Sequence, residues 1–151
     1  MVDVGKKKTT KRSARAAGEV RLSREAFRAL LDGKLAKGDA FAVARIAGIQ
    51  AAKRTSEIVP LCHPLSLDSI SVDLTLDGAA QRVVVAASAS IRGRTGVEME
   101  ALVAVSAACL AVYDMVKAID RSAVIGEIRL LEKTGGRSGR FLASRPVRRA
   151  R

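Results

Sequence analysis

Residues 70–91, ISVDLTLDGAAQRVVVAASASI, alternate apolar and polar side chains twice around a single turn signal. Ile70, Val72, Leu74 and Leu76 share one side, and Val83, Val85, Ala87, Ala89 and Ile91 resume the pattern after Asp77-Gly78. A period of two marks half-buried strands and Asp-Gly favours a turn, so the stretch predicts an antiparallel hairpin. Upstream, Ser23 predicts an N-cap for a helix over about residues 24–32, with Gly33 at its C-terminal side. Asp39 caps a second helix, AFAVARIAGIQAAKR, whose Ala44, Ala47, Gly48, Ala51 and Ala52 permit close backbone packing. Pro60 stops it, and PLCHPL at 60–65 forms a stiff connector because two prolines fix φ. Downstream, a long helix from about Gly96 to Ile119 precedes a last strand at 125–131. With a short strand at Glu19-Val20-Arg21-Leu22, the order is strand, two helices, hairpin, long helix, strand. Helices on one face of a mostly antiparallel sheet make an α+β sandwich.

The long helix carries a second message. ALVAVSAACLAV at 101–112 is apolar on every face, with only Ser106 interrupting. Such a helix is covered on all sides, and a two-layer domain covers one. A second copy of the chain is the expected cover, hence a homo-oligomer with helix-to-helix contact.

A length of 151 residues indicates one domain, and 48% hydrophobic residues exclude wholesale disorder. No charge-free apolar run approaches the ~20 residues of a membrane span, and no signal-peptide core follows the basic N-terminal stretch. Cys62 and Cys109 form neither a CxxC nor a disulfide framework, so a reducing cytoplasm is expected. The net charge of +12 lies at the ends: residues 1–17 hold six basic residues and one acid, and residues 133–151 hold seven and none. Residues 18–132 balance 14 against 14. This divides the chain into an extended or mobile basic arm (1–17), a neutral α+β body (18–132) and a Gly-rich basic loop and tail (133–151). The ends either fold over an anion or are solvated. A basic RNA-binding module of ferredoxin-like fold is the alternative reading. It would want aromatic stacking residues on the sheet, whereas Phe27, Phe41, Phe141 and Tyr113 all lie outside the hairpin strands.

Glu98, Glu100, Asp114 and Lys117 stand at the two ends of the apolar helix. Glu100 and Asp114 are ~21 Å apart along the axis, too far to act on one bond from one chain. A neighbour's antiparallel helix would bring the two ends together into a composite site. Asp114 and Lys117, at i and i+3, can meet directly, although such a pair is often no more than a surface ion pair. His63, the single histidine, sits in the rigid connector, as suits a positioned acid or base or a structural imidazole. Cys62-His63 lacks the company of a zinc site, and Cys62 suits a small buried thiol better than a nucleophile. Lys37, before a helix N-terminus, Lys53-Arg54, and the loop Lys133-Thr-Gly-Gly-Arg137 with Arg140 are anion candidates. The loop lacks P-loop spacing. Mg²⁺ is compatible with a bound phosphate anion, but neither it nor any other cofactor is firmly implied.

Seven segments occur in the order found in one family. They are MVDV at 1–4, KGD at 37–39, ARIAGIQAAKRT at 44–55, PLCHPL at 60–65, TGVEMEAL at 95–102, VYDMVKA at 112–118 and IRLLEKTGGRSG at 128–139. The chain thereby resembles the cyclic pyranopterin monophosphate synthases of molybdenum cofactor biosynthesis, from residue 1 to about 141. The resemblance implies a ferredoxin-like two-layer sandwich in a hexamer built from dimers, with sites at subunit interfaces. It implies conversion of a cyclised GTP derivative to cyclic pyranopterin monophosphate with release of diphosphate. It carries a catalytic role to Asp114, Lys37 and Lys117, and substrate contact to Leu61, Cys62, His63, Met99 and Glu100. Arg12, Arg15 and Lys133 match basic residues that approach the substrate from mobile segments, and Glu98 and Lys53 join as binding candidates. Asp114 is then expected to shuttle protons with its pKa set by Lys117 and by burial. The chain opens on MVDV, where the family commonly has a short upstream segment, so a missing or shortened first strand is expected. The tail after Phe141 matches nothing recognisable.

Overall fold

A computed structural model describes residues 1–144. Strand β1 spans Thr10–Arg21, helix α1 Arg24–Leu31, α2 Ala40–Lys53 and the single turn α3 Thr55–Ile58. Then come β2 (Ser69–Asp77), β3 (Arg82–Gly93), α4 (Glu98–Val116), β4 (Val124–Thr134) and the two-residue β5 (Phe141–Leu142). The five strands form one antiparallel sheet in the order β2-β3-β1-β4-β5, with α2 and α4 packed on one face. The expected α+β, ferredoxin-like two-layer sandwich is the architecture found.

The hairpin forms as its alternation dictates. Val72 faces Ala87 and Leu74 faces Val85, and these side chains are buried beneath the helices. β1 continues the register on the other side of β3, Ala14 against Ala89, Ala16 against Ala87 and Val20 against Val83. Small inward residues on β1 let α4 lie close to the sheet. A Cβ on Gly18 would come within 2.8 Å of Val105 Cγ1 on α4. Helix α2 is held equally tightly: a Cβ on Gly48 would lie 2.8 Å from the Ala104 carbonyl oxygen. Ala44 and Ala52 flank it, both fully or nearly fully buried.

Several boundaries differ from the sequence expectation. Residues 10–17, expected within a basic arm, belong to the twelve-residue central strand. Basic side chains hid the pattern, because only Ala14 and Ala16 mark its inward side there. β4 reaches Thr134, three residues past the expected end, because its pairing with β1 continues through Lys133 and Thr134. α2 ends at Lys53, one residue short of the expected Arg54, and α3 occupies part of the stretch before Pro60. α4 is shorter than expected at both ends. The tail beyond Ser144 lies outside the described residues.

α4 is long and apolar enough to cross a bilayer, yet half of it is buried within this fold as the core helix. Ala101, Ala104, Val105, Ala108, Val112 and Val116 have no exposure. Its opposite side is open, with Leu110 61% exposed, and on α2 Ile46 is 60% exposed.

A candidate active site at both ends of one helix

The last turn of α4 carries Asp114, and Lys117 is its C-cap, with its N–H donated to the Tyr113 carbonyl at 2.9 Å. A cation there also suits the negative end of the helix dipole. Lys117 Nζ lies 2.6 Å from Asp114 Oδ1. Lys37 arrives from the α1–α2 connection, where Gly33 (φ +65°) ends α1 and Gly38 (φ +89°) turns the chain into α2. Both conformations belong to glycine. Lys37 Nζ donates to Asp114 Oδ2 at 2.5 Å and to the Asp114 carbonyl oxygen at 3.1 Å. Two ammonium groups thus grip one carboxylate.

That grip sets the charge. The hydrogen bond from Lys117, and next that from Lys37, hold the Asp114 carboxyl down at about 2. Burial acts in the opposite direction, as expected, and the two lysine hydrogen bonds outweigh it. The N-terminus of α2 is no open anion site either. Asp39 Oδ1 already accepts from Phe41 N and Ala42 N at 2.9 and 3.0 Å.

At the other end of α4 lies a cleft of about 410 Å³. The connector supplies Leu61, Cys62 and His63, the start of α4 supplies Glu98, Met99 and Glu100, and the N-terminal segment adds Val2, Val4 and Lys7. Six residues expected to contact substrate therefore share one cavity. Glu100 is only 4% exposed, and burial, with the nearby Glu98 charge adding to it, pushes its carboxyl up. Burial likewise raises Cys62, helped by Glu100, so it rests as a thiol rather than a nucleophilic thiolate.

Lys7 also lines a second cleft, of about 420 Å³, and is the residue the two linings share. Its other walls are Lys6, Lys8, Thr10, Arg12, Gly136 and Arg137. Arg12 Nε donates to the Gly93 carbonyl at 3.0 Å, which anchors the guanidinium at the end of β3. The glycine loop seats against β1, because a Cβ on Gly135 (φ +83°) would collide with the Lys11 carbonyl oxygen. Lys133 Nζ bonds Ser138 Oγ within this loop. The Thr10 hydroxyl is buried without a partner.

The structure separates some of the expected residues. Arg15 alternates with the inward Ala14 and Ala16, so it projects from the sheet face opposite to theirs, whereas Arg12 shares their parity. Lys53, exposed at the end of α2, lines neither cleft. Arg140 is tied to Glu132 at 2.8 Å. Sequence reasoning did not single out Lys6, Lys7 and Lys8, although the lysine run follows MVDV after a single glycine. Within one chain, the Lys37–Asp114–Lys117 group and the Glu98–Glu100 cleft stand at opposite ends of α4.

A model of the MoaC family matches residues 1–136. The cyclic pyranopterin monophosphate synthase of Heliobacterium modesticaldum is 54% identical over 142 residues, covering 94% of this chain and 89% of its own. That of Brucella ovis is 52% identical over 147 residues, covering 97% and 89%. That of Parvibaculum lavamentivorans is 52% identical over 143 residues, covering 95% and 89%.

Proposed function

The chain belongs to the MoaC family, and from that premise we infer that it has cyclic pyranopterin monophosphate synthase activity. It is an enzyme, a lyase of molybdenum cofactor biosynthesis, and the relatives support this reading rather than an RNA-binding module. The substrate is (8S)-3′,8-cyclo-7,8-dihydroguanosine 5′-triphosphate, and the products are cyclic pyranopterin monophosphate and diphosphate. The observation that carries the reading is the Asp114 carboxylate clasped by Lys37 and Lys117 in a chain so similar to named synthases.

The cationic cleft of Lys6, Lys7, Lys8, Arg12 and Arg137 takes the triphosphate, with Lys133 and the glycine loop beside it. The cleft of His63, Met99, Glu98 and Glu100, which shares Lys7 with it, takes the purine-derived ring. Asp114, Lys37 and Lys117 come to that ring from a neighbouring chain, in the hexameric, trimer-of-dimers assembly of the family. The exposed Ile46 and Leu110 on the helix layer support such an assembly. At neutral pH Asp114 is ionised and a weak base, because both lysines stabilise its charge. As negative charge develops on the rearranging substrate, Lys37 and Lys117 transfer their stabilisation to it and Asp114 regains basicity. In the closing step a ribose-derived hydroxyl forms a bond to the α-phosphorus and loses its proton to Asp114. The bond from that phosphorus to diphosphate breaks. Free Cys62 and buried Cys109 suit a reducing cytoplasm.

Incubation with the cyclised GTP derivative tests this. Stoichiometric diphosphate and a pterin are the expected products. Salt-sensitive RNA binding without either product would overturn the reading.

A further inference from the structure

Asp120 is one of four polar side chains buried among the described residues, at 5% exposure, and it takes no part in the chemistry above. Both oxygens of its carboxylate accept hydrogen bonds. Oδ2 accepts from the main-chain N–H of Ser23 at 2.6 Å. Oδ1 accepts from Ser122 N at 3.0 Å and from Ser122 Oγ at 2.6 Å.

What those bonds join matters more than their number. On one side, Asp120 follows Lys117 by three residues and is fixed rigidly to the end of α4. The N–H groups of Ile119 and Asp120 both donate to the Val116 carbonyl, at 2.8 and 2.9 Å. Tyr113 OH, next to Asp114, donates to the Arg121 carbonyl at 3.1 Å and ties the same segment back to the helix. On the other side, Ser23 is the N-cap of α1, its Oγ accepting from Ala26 N at 3.3 Å. From α1 the chain reaches Lys37 through successive hydrogen-bonded turns, Lys34 N to the Ala29 carbonyl at 2.9 Å and Gly38 N to the Leu35 carbonyl at 3.0 Å. One carboxylate therefore joins the helix that ends in Asp114 and Lys117 to the helix that leads to Lys37.

We propose that Asp120 is a positioning residue for the Lys37–Asp114–Lys117 group, fastening the end of α4 to the start of α1 and so setting the reach of Lys37 to Asp114. The inference rests on the catalytic reading of those three residues. Displacements of about 1 Å at a reacting group cost on the order of 100-fold in rate. Loss of the Asp120 clamp acts on geometry while leaving the clefts that bind substrate untouched.

The test is a double-mutant cycle with steady-state kinetics, run well below the melting temperature of each variant. Asp120→Ala is expected to lower kcat by about 10- to 100-fold with KM within about threefold. Asp120→Asn, whose carbonyl oxygen still accepts from Ser23 N, is expected to lose less. In a Lys37→Ala background neither change is expected to reduce kcat further, because the contact being positioned is gone. Should Asp120→Ala fail to fold, the Asn variant carries the same cycle. Unchanged kcat in folded Asp120 variants, or losses that multiply with that of Lys37→Ala, would overturn the proposal. A Lys37→Ala enzyme turning over at the parental rate would instead sink the catalytic reading of the group, and this inference with it.

Discussion

Lys37 and Asp114 stand 77 positions apart in the chain, and the Lys37 ammonium donates to both the carboxylate and the main-chain oxygen of Asp114. The second bond does what a surface ion pair does not: it anchors the lysine to the helix backbone, so its position does not depend on the rotamer of Asp114. Lys117 holds the other carboxylate oxygen. Asp114 is thereby fixed from two directions before any substrate arrives.

Replacing Asp114 by Asn preserves shape and removes the proton acceptor. A loss of about 100- to 10,000-fold in kcat is expected, the usual range for a lost acid or base. Turnover within a few-fold of the parent would contradict the assigned role.

The same carboxyl offers a direct titration. Its pKa is depressed from 3.8 to about 2, so the pairing is complete above 3.8 and is lost as pH falls through about 2. Carbon-13 NMR of the side chain should place its midpoint near 2. Lys117→Met should move it upward more than Lys37→Met, since the Lys117 hydrogen bond is the larger cause. Equal or reversed shifts would assign the dominant grip to the wrong lysine.

Glu100 behaves oppositely. Burial raises its carboxyl above 4.5, so its contribution to stability is greatest below pH 4.5 and is lost as pH rises through the raised folded value. Glu100→Gln removes that penalty. The variant should melt a few degrees above the parent at pH 8, with about 2–4 °C for each ~1 kcal/mol, and show no such gain near pH 4. A gain independent of pH would mean that packing, not ionisation, is responsible.

Gly48 faces a backbone carbonyl that does not yield, and a Cβ there would also reach 3.0 Å from Val72 Cγ2. Gly48→Val should destabilise the fold by about 1–3 kcal/mol or more through overpacking. Thermal or denaturant unfolding measures it, and an unchanged midpoint would show that α2 and α4 can separate freely.

Gly135→Ala forces a side chain into a positive φ and against the Lys11 carbonyl. The glycine loop should lift from β1 and open the cationic cleft. KM for the triphosphate substrate should rise by about tenfold or more while the melting temperature stays within a few degrees. An unaffected KM would remove the loop from substrate binding.

Local pattern alone determined the two hairpin strands, the caps Ser23 and Asp39, and the apolar helix, because alternation, helical period and capping are encoded within a few adjacent residues. The ordered segments from MVDV to the glycine loop likewise carried the family and the names of most candidate site residues. Local pattern missed β1 as the central strand, because Lys, Arg and small side chains there carry little hydrophobic signal and only pairing with β3 and β4 on both sides holds it. Tertiary structure alone decided that Lys37 meets Asp114, that Arg12 and Arg15 leave the sheet on opposite faces, and that Asp120 joins α4 to α1. Those relations span many residues of intervening chain, and their distances are set by how helices pack on a sheet rather than by any neighbour in sequence.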